Sequence, residues 1–512
     1  MSTRSDPPGK EKNPSRRADP ISASEVSTRA ARGGAVIMAS QALRFALQIG
    51  STMVLARLLA PEDFGLVAMA GTLTALFTLF ADLGLSQATI QREDVTQSQL
   101  TTLFWVNTGV GALLAVLCFA LAPLVAWFYG DERLIGVIQI MSAGFVLAGL
   151  STQHGALLNR WLRFRTVATI GVAASLFSVL LALALAWLGA DYWALVGQQL
   201  GLALGMLVGN WMAARWKPGR PQISADAHQM LRFGGDMTIF NLLIYCTRNA
   251  DNILLGWRHG NHTLGLYERP YALVVSLPLR LINFPLANVM VPALSRLQNA
   301  PEGYRDLYLS ALEKIGMATL PTLALLALLA EPLVLILLGD GWTDAIPVFF
   351  WLAIAAIGQP VGNAAGWLFV SQGRTGEQLL WGVFSSVVFV AGFAAGLPWG
   401  AAGVAMAYAI TTLVMVPVVF AYIMRRGPVR FGPTVRALVP GLSGTLVVVV
   451  LVEAMRLAGL MPATPILAVL VAGIVAAAGM LAIYVAMPTS RRTLREVWVF
   501  AYQLARRRAP AG

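Results

Sequence analysis

Hydrophobic residues in this chain fall in blocks of roughly 20 to 27, separated by short polar breaks. That is the length an α-helix needs to cross a bilayer. Fourteen such blocks lie at about 34–58, 64–84, 102–128, 134–153, 167–188, 192–213, 234–257, 270–293, 308–338, 345–370, 377–396, 400–423, 434–457 and 464–487. Composition agrees: 57% of the 512 residues are hydrophobic and only 12% charged, well outside the range of a soluble domain. The reading is an all-α integral membrane protein with about fourteen transmembrane helices. The third and ninth blocks exceed a straight span, and Pro123, Pro321 and Pro332 are placed to kink them.

The net charge of +12 does not point to nucleic acid, because the cations sit in alternate loops and in both tails. Counted over alternate breaks, 28 Lys and Arg fall on one side and five (Arg57, Arg133, Arg258, Arg269, Arg456) on the other. By the positive-inside rule both termini are cytoplasmic, as an even number of spans requires. Every external loop is short, which excludes an external catalytic domain. Residues 1–32 read as a disordered basic tail. Residues 488–512 read as a basic amphipathic tail with Leu494, Val497, Trp498 and Ala501 on one face, suited to the membrane surface. Cys118 and Cys246 lie inside apolar spans and offer no disulfide or metal spacing, and His259 and His262 lack a third ligand.

Two stretches recur at nearly constant offset. PLVAWFYGD at 123–131 parallels PLVLILLGD at 332–340, and LARLLAPEDFGL at 55–66 parallels LGWRHGNHTLGL at 255–266. Arg165-Thr166 and Arg374-Thr375 add a third pair. Together they predict two six-helix lobes of like orientation, 33–215 and 232–425, joined by a cytoplasmic linker 216–231, with spans 13 and 14 (426–487) outside the repeat.

A cation at mid-bilayer costs about 2.5–3.5 kcal/mol even on lenient scales, so charges inside the spans need a reason. Gln41, Arg44, Gln48 and Ser51 share one stripe of the first span; Asn241, Tyr245, Arg248 and Asn252 share one of the seventh. Ser276, Arg280 and Asn283 follow in the eighth, Thr78 and Asp82 share a face of the second, and Gln359 and Asn363 one of the tenth. These stripes predict a cationic, water-filled cavity whose arginines offer forked donors to phosphate oxygens. The plainer alternative is internal pairing, Arg248 with Asp251 and Arg44 with Asp82. Glu313 and Lys314 lie near a helix end, where snorkelling explains them.

At this point ALRFALQIGSTMVLARLLAPEDFGLVAMA, FADLGLSQATIQ, LLNRWLRFR, FGGDMTIFNLLIYCTRNADNILLG, LGLYERPYAL and VMVPALSRLQ resemble the Wzx-type polysaccharide transporters. These are lipid-linked oligosaccharide flippases of the multidrug/oligosaccharidyl-lipid/polysaccharide exporter (MOP) superfamily, and the likeness is to the colanic-acid-type branch, dense from about 34 to 425. The resemblance implies two lobes in a V-shaped, MATE-like arrangement, opening alternately to either side. It implies an undecaprenyl-diphosphate-linked oligosaccharide as cargo in the bacterial inner membrane. It maps head-group binding onto Arg44, Arg248 and Arg280, and ion or proton coupling onto Asp82 and Asp251. Arg160, Arg163 and Arg165 match a cytoplasmic arginine run that sets topology. No catalytic constellation and no cofactor is expected. The partners implied are the lipid-linked cargo, membrane lipid, a polysaccharide polymerase and a chain-length regulator, with no nucleic acid. Competing readings are a drug or organic-cation antiporter, whose cavity should be acidic or aromatic, a lipid II flippase, and a membrane glycosyltransferase or polymerase, which needs acidic catalytic residues near a sizeable external loop.

Overall fold

The computed structural model describes residues 23–81, 86, 89–90, 95–220, 245, 247, 249–276, 284–488 and 490–496. Among them the chain is helical, with no strand. Its first half contains α1 (Ala23–Leu58), α2 (Pro61–Thr78), α3 (Gln97–Tyr129), α4 (Arg133–Arg160), α5 (Phe164–Trp187) and α6 (Trp193–Ala214). Then come α7 (Ala250–Tyr271), α8 (Phe284–Arg296), α9 (Pro301–Leu328), α10 (Ala330–Leu337), α11 (Ile346–Ser371), α12 (Thr375–Gly396), α13 (Gly400–Ile423), α14 (Phe431–Leu457) and α15 (Pro465–Ala486).

Eight helical stretches among the described residues are long and apolar enough to span a bilayer, α12 and α13 counting as one. The shortfall against fourteen has physical causes. Gln41, Arg44 and Gln48 dilute α1, and Gln198, Gln199 and four glycines dilute α6. The expected spans 64–84, 234–257 and 270–293 run into residues outside the described set.

Two expectations are corrected. The ninth block is not one kinked span: it breaks at Leu329 into α9 and α10. Pro332 has no N–H for the carbonyl of Leu328 and its ring crowds that group. The carbonyl is satisfied instead by Arg456 Nη2 on α14, 2.7 Å away. Pro123 and Pro321, by contrast, lie within continuous α3 and α9. The external loop expected at 258–269 is also absent. α7 is helical on both sides of Gly260, whose φ of 78° and ψ of −175° turn the chain in one residue.

The chain divides into two compact units, one of Met1–Leu59 with Leu66–Cys246, the other of Ala60–Gly65 with Thr247–Gly512. Most of the expected linker, 221–231, lies outside the described residues. In the first unit α6 carries glycine at 197, 201, 205 and 209, one face at four-residue spacing, and this face meets α5. A Cβ at Gly205 would lie 2.9 Å from the Ala174 Cα, and one at Gly209 2.6 Å from Ile170 Cγ2. Such small-residue faces replace the hydrophobic driving force that lipid removes. Near the start of α3, Leu100, Phe104, Leu157, Leu158 and Trp216 form a core. The segment after α6 is laced to it by Trp216 Nε1 donating to Gln97 Oε1 (2.7 Å) and Gln97 Nε2 donating to the Lys217 carbonyl (3.1 Å).

In the second unit α8, α9, α11 and α13 share a core around Tyr304, Tyr308, Leu312, Leu368 and Phe420. The last two helices pack on α9: Tyr484 of α15 donates to the Met317 carbonyl at 2.8 Å, and Val448, Val452, Ala472 and Ala476 close around Leu329. Ala60–Gly65, the start of α2, belongs to this unit and crosses α7 at two glycines. A Cβ on Gly65 would fall 1.7 Å from the Asn261 carbonyl oxygen, and one on Gly265 1.8 Å from that of Pro61. The two glycines are the repeat-related pair, and each faces the carbonyl four residues before the other.

The repeat also shows inside each unit separately. Gly130 (φ 73°) and Gly339 (φ 97°), from the shared Gly-Asp, each end a helix. The third sequence pair shifts register: Arg374, preceding α12, donates to the Ile423 carbonyl at the end of α13 at 2.8 Å, while the residue preceding α5 and donating to the Ala213 carbonyl at the end of α6, at 3.5 Å, is Arg163 and not Arg165. In both a cation meets a helix C-terminus, where the dipole favours it.

Candidate functional site

Arg44 is the one arginine of the expected cationic stripes that lies among the described residues. Its guanidinium lies across Gly171 of α5, where a Cβ would sit 3.1 Å from Nη1, so glycine there makes the room. The side chain is half-buried and makes no salt bridge among the described residues. Gln41 and Gln48 on the same stripe are exposed, while Ser51 is buried and accepts from Gln198 Nε2 of α6 at 2.8 Å. The stripe therefore divides: its lower end is locked into the packing of the first unit, and its upper part presents Gln41, Arg44 and Gln48. A guanidinium in no salt bridge among the described residues, on a stripe with two exposed glutamines, can grip two oxygens of a phosphate in a forked arrangement.

Tyr245, expected on the cavity wall, donates its hydroxyl to the Thr72 carbonyl of α2. Thr72 Oγ1 in turn lies 3.3 Å from the Tyr129 hydroxyl. In this structure Tyr245 ties helices together. Asn241, Arg248, Arg280 and Asp82 lie outside the described residues, so neither proposed pairing of the arginines is decided by it.

Asp251, at the start of α7, is 3% exposed. Tyr267, sixteen residues on and past the Gly260 turn, donates to its Oδ2 at 2.8 Å, and the Asn252 backbone N–H donates to Oδ1 at 2.9 Å. No cationic side chain among the described residues forms a salt bridge with it. The Tyr267 ring stacks on Tyr271 (centroids 5.8 Å apart), Tyr271 tilts onto Tyr408 (6.1 Å), and Gln359 Nε2 donates to the Tyr408 hydroxyl at 2.5 Å. A buried carboxylate inside a tyrosine-lined polar cluster is a group that can take up and release a charge. The cluster was partly visible in the sequence as Asp251 and Gln359; its tyrosines were not. Asn252 Oδ1 is buried with no hydrogen-bond partner among the described residues.

Other charges serve packing. Arg160 Nη1 donates to the Thr89 carbonyl at 2.8 Å. Lys314, with its side chain partly exposed, pairs its ammonium with Glu496 of the tail at 3.0 Å, and the neighbouring Glu313 accepts from Thr493 at 2.9 Å. The tail thus presents Thr493 to α9, and Ser490 before it is buried. Lys314, and after it Arg492, hold the Glu496 carboxyl below its ordinary value.

A family model described as polysaccharide biosynthesis protein matches residues 54–347, more than half of the chain. The lipopolysaccharide biosynthesis protein WzxC of Escherichia coli (strain K12) is 26% identical over 368 residues, covering 70% of this chain and 74% of WzxC. The teichuronic acid biosynthesis protein TuaB of Bacillus subtilis (strain 168) is 28% identical, covering 67% of this chain and 71% of TuaB. Among solved structures, the lipid II flippase MurJ in an inward closed conformation matches with a TM-score of 0.68 at 12% identity, over 88% of this chain and 97% of that one. An inward-facing multidrug resistance MATE family transporter of the MOP superfamily matches with a TM-score of 0.59 at 16% identity, over 75% and 94%. At these identities the structural likeness establishes the fold alone. The family match, over more than half of the chain, places it in the polysaccharide biosynthesis protein family.

Proposed function

We propose that this protein flips undecaprenyl-diphosphate-linked oligosaccharide repeat units across the bacterial inner membrane, by alternating access, for the assembly of a surface polysaccharide. The observation that carries the reading is Arg44, half-buried on a membrane helix, flanked by exposed Gln41 and Gln48 and in no salt bridge among the described residues. A lone cation held in such a place gains most from an anionic ligand. Arg248 and Arg280 complete the head-group site in this reading, with Asn241 and Asn252 as polar contacts to the cargo. Movement of a lipid head group needs no covalent step, so the residues act by binding and release. Asp251, with Asp82, is the candidate for coupling that movement to an ion or proton. Both termini face the cytoplasm, and a polymerase and a chain-length regulator receive the product on the far side.

A cationic stripe disfavours the organic-cation antiporter. The likeness to a lipid II flippase is a likeness of fold and does not select that cargo. The test is the double variant Arg44→Ala, Arg248→Ala in cells depending on this protein for polymer export. Export should be lost while the protein remains inserted and elutes normally after purification. Normal export from the double variant refutes the cationic-site assignment.

A further inference from the structure

On the second unit, α12, α13 and the first residue of α14 enclose a groove of about 610 Å³, within the range of small-molecule sites. Trp381 and Phe384 of α12 form one wall, Pro417 and Tyr422 of α13 the other, and Phe431 of α14 closes one end. Trp381 stacks on Tyr422 with centroids 5.7 Å apart. These helices are among those apolar enough to span a bilayer, and Leu380 and Phe384 on the groove are exposed, so lipid is the medium that bathes it.

The groove is not uniformly apolar. Arg425 lines one end, and Arg426, Arg430 and Arg436 are exposed in the same stretch of chain. No acidic residue occurs between Glu377 and Glu453, and none of these four arginines is in a salt bridge among the described residues. The nearby Glu377 is already taken: Arg374 binds it at 2.5 Å and donates to the Ile423 and Arg426 carbonyls at 2.8 Å, which holds the loop in place. The Tyr422 hydroxyl, beside Arg425 on the groove, makes no hydrogen bond among the described residues.

A fixed basic end on an apolar slot between membrane helices is complementary to a lipid carrying a phosphate above a hydrocarbon chain. We propose that this groove binds an anionic glycerophospholipid of the surrounding bilayer, an acyl chain between Trp381 and Pro417 and the phosphate on Arg425. Apart from the Tyr422 hydroxyl and the Trp381 indole N–H the walls are apolar, and the proposal stands whatever the cargo is.

The test is native mass spectrometry of the full-length protein in mild detergent, titrated with phosphatidylglycerol or with phosphatidylethanolamine of the same chains. The wild type should retain phosphatidylglycerol preferentially. Arg425→Gln should weaken that retention about fivefold without changing phosphatidylethanolamine retention, and Arg425→Lys should restore most of it. Ala421→Trp, which fills the groove, should lower retention of both. Equal retention of the two lipids by the wild type, or unchanged phosphatidylglycerol binding in both Arg425→Gln and Ala421→Trp, overturns the proposal. So does displacement of phosphatidylglycerol by equimolar undecaprenyl phosphate, which would assign the groove to the cargo lipid. Dimers lost on Ala421→Trp would assign it instead to a second copy.

Discussion

Replacing Gly65 or Gly265 with alanine adds a single methyl group where two backbones already touch. At Gly65 that carbon would lie 1.7 Å from the Asn261 oxygen, 2.6 Å from its carbon and 2.9 Å from the Gly265 nitrogen. An unstrained carbon–oxygen approach is about 3.3 Å, so the helices must part by roughly 1.5 Å. No rotamer change relieves the clash, because the obstructing atoms are backbone. Overpacking of a well-filled contact costs about 1–3 kcal/mol, and each single variant should reach the upper end of that range. Once one methyl has forced the helices apart, the second meets less resistance. The double variant Gly65→Ala, Gly265→Ala should therefore be less destabilised than the two singles summed, by about 0.5–3 kcal/mol. The control is Gly71→Ala on the same helix, where nothing lies within 4 Å among the described residues; it should be neutral or stabilising by up to about 1 kcal/mol. Thermal unfolding of the purified full-length protein in one detergent ranks the four variants. An unchanged midpoint in Gly65→Ala, or strict additivity in the double variant, would refute the reasoning.

Three further outcomes are expected. Because the Glu496 carboxyl is held low by Lys314, its contribution to docking the tail is complete above the ordinary value of 4.5 and is lost as pH falls through the lower docked value. Hydrogen exchange of residues 490–496, corrected for intrinsic rates, should accelerate below that point, and in Lys314→Met already at neutral pH; wild-type protection in Lys314→Met at neutral pH contradicts it. Tyr267→Phe removes the hydroxyl that holds buried Asp251 and should destabilise the protein by about 1–3 kcal/mol, with Asp251→Asn in the same background recovering part of the loss; thermal midpoints of the single and double variants decide this. At Gly171 an alanine meets only the flexible end of Arg44 and should preserve polymer export, whereas Gly171→Leu should displace the guanidinium and abolish export in a protein that still inserts; normal export from the leucine variant would detach Arg44 from the function.

Much of this architecture could be read along the chain, for one physical reason. A helix in lipid satisfies its backbone within itself, so its length and hydrophobicity are local properties that appear as blocks. The repeat was readable too, because Gly130 and Gly339 both take positive φ just past a helix end and kept the same Gly-Asp signature. Arg44 stood out because a cation amid apolar residues is conspicuous without knowledge of its neighbours. What lay beyond the sequence were the partners. Tyr267 meets Asp251 only because Gly260 folds the chain back in one residue, and the sequence alone suggested an open loop there. Lys314 finds Glu496 across 182 positions, and Gly65 finds Gly265 across 200. Arg456 answers the carbonyl that Pro332 leaves open. Such pairings depend on which face of one helix meets which face of another, and that is set by close packing of whole surfaces. Along the chain one reads a many-spanned helical membrane protein with a cation amid apolar residues; packing of whole surfaces is what lays Arg44 over Gly171, without a counter-ion among the described residues, and buries Asp251 against a tyrosine.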